Sequence, residues 1–106
     1  MNEILKNSYR LLTFDKVDSN GTVFIKNSKI SYEKDTLVYS NGGLPIGIAF
    51  VTIDDIGILC DIYFTQNLFY DDIKFIGEFR KVKWHIENGI RVVDEANLVG
   101  INYYNI

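Results

Sequence analysis

The chain has 106 residues, 47% hydrophobic and 24% charged, with a net charge of −3 and a pI near 5.0. That is enough for one core and one domain, residues 1–106, and the acidic balance argues against an electrostatic footprint for nucleic acid. Seven Tyr and seven Phe tilt the composition toward strands.

Taken in chain order, nearly every segment reads as strand. Ser8 to Phe14 is a first strand, Asp18-Ser19-Asn20-Gly21 a turn, and Thr22 to Ile25 its returning partner. A polar stretch from Lys26 to Asp35 then crosses the surface, and Thr36 to Tyr39 is a short strand ended by Ser40-Asn41-Gly42-Gly43. Pro45, the single proline, opens the longest hydrophobic region. Ile46–Ile53 and Ile58–Thr65 flank Asp54-Asp55-Ile56-Gly57 as a hairpin, and their near-continuous apolar character suits strands buried on both faces or central in a closed or stacked sheet. Leu68, Phe69 and Ile73 in the stretch Asn67–Lys74 suggest one short helical turn. Phe75–Ile86 and Ile90–Val93 form a second hairpin around Glu87-Asn88-Gly89, and Leu98–Tyr104 a final strand. The expected fold is mainly β, a small antiparallel barrel or sandwich of six to eight strands with at most one short helix.

Several function classes find no support in the residues. Cys60 is the single cysteine, so the fold needs no internal disulfide, and inside Ile58-Leu59-Cys60-Asp61-Ile62 a thiol packs as a small apolar group. His85 is the single histidine and points away from Trp84 and Ile86, which reads as a surface residue. One Cys and one His cannot build a tetrahedral zinc site. Asp54-Asp55 and Asp71-Asp72 read as solvated turn residues, since calcium needs six or more converging oxygens. No phosphate-binding glycine loop is present, so no cofactor and no metal is expected. Arg80-Lys81-Lys83 reads as an edge-strand face on which the lysines deter unwanted pairing. The N-terminal residues have no signal-peptide pattern and no apolar run approaches the ~18 residues of a membrane helix, so a soluble protein made inside a cell is expected, without membrane partners.

Three motifs together resemble a known family. Phe75-Ile76-Gly77-Glu78-Phe79-Arg80, then Glu95-Ala96-Asn97-Leu98-Val99-Gly100-Ile101, are similar to the late and closing strands of tailed-phage prohead maturation proteases, whose fold is shared with the herpesvirus assemblins. Leu44-Pro45-Ile46-Gly47 followed by Asp54-Asp55-Ile56-Gly57-Ile58-Leu59 looks like the family's central hairpin. Asp18-Ser19-Asn20-Gly21-Thr22-Val23-Phe24 is similar, more weakly, to its N-terminal turn. In order and spacing these matches cover about two-thirds of the chain.

The resemblance also implies that the chemistry is missing. The family's nucleophilic serine precedes the Ile-Gly of the late strand, where this chain has Phe75, and no serine occurs from residue 41 onward. The family's histidine falls in Tyr39-Ser40-Asn41, its closing-strand acid on Gly100 and the following serine on Asn102. A phenyl ring cannot attack a carbonyl, and neither an amide nor a hydroxyl serves as a base near neutral pH. No catalytic residue is therefore expected.

What remains is a scaffold rich in tyrosine, a residue that favours protein interfaces. The expected interface residues are Tyr70, Tyr103, Tyr104 and Ile106. The resemblance implies a pseudoenzyme acting as a capsid auxiliary or decoration protein in the virion, made in the host cytoplasm before assembly. Its partners would be the phage major capsid protein or another virion protein, with self-association as a further mode. A small phage-encoded inhibitor of a host protein is an alternative of a different class. A residual serine protease using Ser40 or His85 is a third.

Overall fold

The computed structural model describes residues 5–40, 43–64 and 73–105. They form seven strands: β1 (Leu5–Thr13), β2 (Thr22–Tyr32), β3 (Asp35–Tyr39), β4 (Pro45–Ile53), β5 (Gly57–Phe64), β6 (Ile73–Glu87) and β7 (Ile90–Asn105). No helix occurs among the described residues, and the short helical turn expected over Asn67–Lys74 falls largely outside them. The domain is mainly β. Its strands make one mixed sheet, ordered β1-β5-β4-β3-β7-β2, with β6 on the other edge of β7. The sheet is not closed, and two of its pairings are parallel, where the sequence suggests an all-antiparallel barrel or sandwich.

Both expected hairpins are present. β4 pairs antiparallel with β5 from Gly47↔Phe64 to Ile53↔Ile58. The turn is built by Asp54, whose carboxylate accepts the N–H groups of Ile56 and Gly57, each at 2.9 Å. β6 pairs with β7 from Ile73↔Asn105 to Glu87↔Ile90. Asn88 and Gly89 close that hairpin with φ values of 52° and 78°, the positive pair a two-residue type I′ turn demands.

β7 is one continuous strand, not the two separated segments suggested by the polar residues Asp94, Glu95 and Asn97. At about 3.3 Å per residue a strand of this length reaches about 50 Å, matching the 52 Å long axis of the molecule. Its irregularities are absorbed locally: Val99 lies opposite no residue of β6, between the pairs Glu78↔Gly100 and Phe79↔Leu98.

The two parallel neighbours of β7 correct two further expectations. Thr22–Ile25 does not return beside β1, because β1 pairs instead with β5. The turn at Asp18–Gly21 forms, with Asp18 accepting N–H groups from Asn20 and Thr22, but it delivers β2 to β7. Arg91 fastens that junction, its backbone N–H donating to Gly21 O and its guanidinium to Asn20 O. The polar residues after Ile25 do not form a surface loop, since β2 continues to Tyr32 and pairs with β7 as far as Leu98. Ser28 bridges the slip in this ladder, accepting the Ile25 N–H at 2.9 Å and donating to Val93 O at 2.6 Å. A solvated edge strand can be this polar because only its backbone is needed by its neighbour.

Beyond β2, the same edge of β7 takes up β3 through Val38↔Ile101 and Tyr39↔Asn102. The strands β1-β5-β4-β3-β7-β6 curl until β1 packs against the first half of β6, with the rings of Tyr9 and Phe75 edge-on at 5.2 Å. Inside the curl lie Val38, Ala49, Ile58, Cys60, Ile62, Leu98 and Ile101, each at most 1% exposed. Each large aliphatic chain there contributes roughly 1.5–3 kcal/mol by leaving water. β4 and β5 are fully buried on the inner face only; outside, Phe50 and Tyr63 cover one another with ring centroids 5.7 Å apart.

Gly57 is fixed by crowding, since a Cβ there would fall on the Leu12 carbonyl oxygen of β1. Gly57→Ala is therefore expected to cost about 3 kcal/mol or more by overpacking. Gly89→Ala, in open space and strained only by its positive φ, should cost about 1–2 kcal/mol. Urea denaturation of both variants checks this, and equal losses would show that the β1–β5 contact is loose.

Candidate functional site

β6, β7 and β3 are neighbours, so they bring Phe75, Tyr39, Gly100 and Asn102, the positions onto which the resemblance would carry the protease residues, into one region, but onto different sides of the sheet. Phe75 pairs with Tyr103 and faces the core, where it is 2% exposed and packs between Tyr9 and Tyr103, whose ring centroids lie 5.2 and 5.9 Å away. Alternation along β7 turns Gly100 and Asn102 the other way. There Tyr39 lies beside both, opposite Asn102 in the ladder and with its ring over Gly100. Tyr39, Glu78, Arg80, Val99 and Asn102 line an open cleft of ≈ 360 Å³ on this outer face. Phe75 therefore has the β6–β7 backbone between its ring and that cleft.

Two of the four expected interface residues can be placed. Tyr103 is 6% exposed and belongs to the core cluster, so its ring is occupied inside the fold. Tyr104, on the opposite face of β7, is half-buried. Tyr70 and Ile106 lie outside the described residues.

His85 is an exposed residue, as its place on a strand suggests, but it has a partner the sequence did not reveal. Its Nδ1 lies 2.8 and 3.0 Å from the two carboxylate oxygens of Asp94, and Nε2 is 3.6 Å from Glu87. Asp94 foremost, then Glu87, raises the imidazole pKa, because both carboxylates favour the protonated ring. Asp94 reaches this position from a bulge in β7 between the pairs Lys83↔Glu95 and Trp84↔Val93, a displacement that strict alternation does not anticipate. No group of three His, Cys, Asp or Glu side chains among the described residues could hold a metal ion.

Cys60 is fully buried in β5, and loss of solvation, reinforced by Asp61, pushes its thiol up to about 11. Asp54 proves to be more than a solvated turn residue. Besides capping its own turn, it binds Arg10 of β1 through two parallel bonds of 2.7 and 3.0 Å. The Arg10 guanidinium, then the Gly57 N–H, holds the Asp54 carboxyl well below the usual carboxylate range.

An exposed apolar strip lies on the far half of β6. Val82, Trp84 and Ile86 are 40%, 51% and 56% exposed, and the Arg91 guanidinium lies over the Trp84 ring at 5.7 Å. On the arm formed by β2, β7 and β6, Lys29, Lys81, Lys83 and Glu95 border a shallow groove of ≈ 700 Å³, in which Lys83 is 3.4 Å from Glu95. The alternation Val82-Lys83-Trp84-His85-Ile86 is the sequence signal for this strip, which the tyrosine count obscures. No protein-family model, curated protein or solved structure matches this chain.

Two measurements follow from these side chains. Cys60 should resist a maleimide in the native protein and react fully in denaturant; rapid native labelling would mean that β5 opens readily. Asp54 has a folded pKa below its unfolded value of ~3.9, so its stabilisation is complete above that value and fades as pH falls through the folded one. The melting temperature of Asp54→Asn should thus fall below that of the parent at pH 7, and the gap should narrow in acid. A gap independent of pH would remove the Arg10–Asp54 pair as its source.

Proposed function

We propose that this chain is a non-catalytic binding module of the prohead-protease-like type, acting as an auxiliary or decoration protein on a tailed-phage capsid. The observation that carries the reading is Phe75. The position where the resemblance puts a nucleophile holds an aromatic ring packed between Tyr9 and Tyr103, on the opposite side of the sheet from Tyr39, Gly100 and Asn102. A hydrolase needs nucleophile and base within hydrogen-bond reach of one another and open to substrate. On this reading the position has been given over to core packing, and the place beside the capsid protein that the resemblance implies makes the shell the partner. The step from fold to partner is one of analogy. Of the tyrosines expected at the contact, Tyr104 retains partial access.

Mass spectrometry of purified virions tests the assignment. A shell component should appear on the order of hundreds of copies per particle, as a closed symmetric shell repeats its contacts. A fluorophosphonate probe should leave the protein unlabelled. Absence from particles would overturn the capsid role and favour an inhibitor of a host protein, whereas stoichiometric labelling of Ser40, lost in His85→Ala, would restore an enzyme.

A further inference from the structure

The first half of β6 is covered by β1, but beyond Phe79 no strand lies on its outer edge among the described residues. Every residue from Arg80 to Gly89 is exposed. This open edge has defined ends. At one end the backbone bulges at Lys81, with φ 52°, where the β6–β7 ladder slips between Arg80 and Lys83. At the other end stands the Asn88-Gly89 turn. Between them Lys83, His85 and Glu87 share one face, and Trp84 and Ile86 the other.

The turn also fixes which backbone groups point outward. A two-residue hairpin loop is closed by a hydrogen-bonded pair, here Glu87↔Ile90, so His85↔Val92 is the next such pair. Trp84 and Ile86 therefore direct their N–H and C=O groups away from β7.

We propose that this edge is an interaction surface for a second copy of the same chain, pairing antiparallel about a two-fold axis at His85. In that register Trp84 and Ile86 exchange both backbone bonds with Ile86 and Trp84 of the other copy, giving four new hydrogen bonds. Lys83 then stands opposite Glu87 on one face in both directions, and Trp84 opposite Ile86 on the other. His85 meets its counterpart at the axis, each held against its own Asp94 carboxylate. Two three-stranded arms become one six-stranded sheet.

The registers shifted toward the bulge are worse. Centring on Lys83 sets lysine against lysine and runs into the bulge. Centring on Trp84 sets Lys83 against His85 and leaves Ile86 facing the irregular backbone near Val82. The outer edge of β2 is a poorer template, because its ladder slips between Phe24 and Lys29 and its middle is the polar run Lys26-Asn27-Ser28. The edge lysines are thus selective: they discourage arbitrary strands, and Lys83 accepts one that brings a carboxylate opposite.

The contact is small, so dissociation on the order of 10–100 µM is expected, as for transient interfaces. Sedimentation velocity of the full chain from about 5 to 500 µM should show reversible passage from monomer to dimer, with no larger species because the two-fold contact closes on itself. Ile86→Pro removes an outward N–H while leaving the β6–β7 ladder intact, and should weaken the dimer about tenfold or more. Lys83→Glu should weaken it too, and Lys83→Glu combined with Glu87→Lys should restore it. Circular dichroism and melting curves verify that each variant is folded; if the proline variant is not, the charge exchange decides. A monomer throughout, growth beyond the dimer, a dimer indifferent to both single changes, or a double exchange that fails to restore pairing would each overturn the proposal.

Discussion

The structure depends on the need to satisfy both edges of β7. A strand at the centre of a sheet has polar backbone groups on two sides, and once buried none can be left without a partner. β6 meets one side along almost its whole length, while β2 and β3 divide the other. The inner face of the strand so held carries core residues: Val93, Leu98 and Ile101 are at most 1% exposed. The curled part of the sheet and the projecting arm are two ends of one strand, each with its own neighbours.

What was legible in the sequence was whatever the chain settles over a short distance. Asp54 to Gly57 and Asn88-Gly89 carry their turn chemistry in adjacent residues, so both hairpins and their approximate registers could be read directly. The parallel pairings could not, because nothing local to Thr22 or Val38 indicates strands more than sixty residues away. Polarity misleads in the same places. Lys26 to Tyr32 looks like loop because its side chains are solvated, yet its backbone is ladder; Asp94 to Asn97 looks like a break because a bulge turns Asp94 toward His85. Mainly β character survives these errors, whereas strand order does not.

The candidate site was legible in composition but not in direction. Motif spacing locates Phe75, Tyr39, Gly100 and Asn102 on three strands that prove to be neighbours, and the sheet then separates them by face. Tyr103 illustrates the same limit, since counting tyrosines cannot tell a ring in the core from one facing outward, and a single step along β7 exchanges the two. Arg10 had no signal at all: its pairing with Asp54 exists only because β1 lies beside β5.

Strand order also has a consequence for biosynthesis. β7 is translated after every strand it joins, so β2 and β3 leave the ribosome well before the segment that completes their hydrogen bonding. Until then the nascent chain can assemble only β1, β3, β4 and β5, whose pairings are antiparallel and comparatively near in sequence. β2 meanwhile has no partner, and much of it is polar, with Lys26, Asn27, Ser28, Lys29 and Ser31 along its length. Such a segment stays hydrated and resists wrong pairing while it waits. The hydrophilicity that disguises β2 as a loop is thus what lets it remain unpaired safely through synthesis.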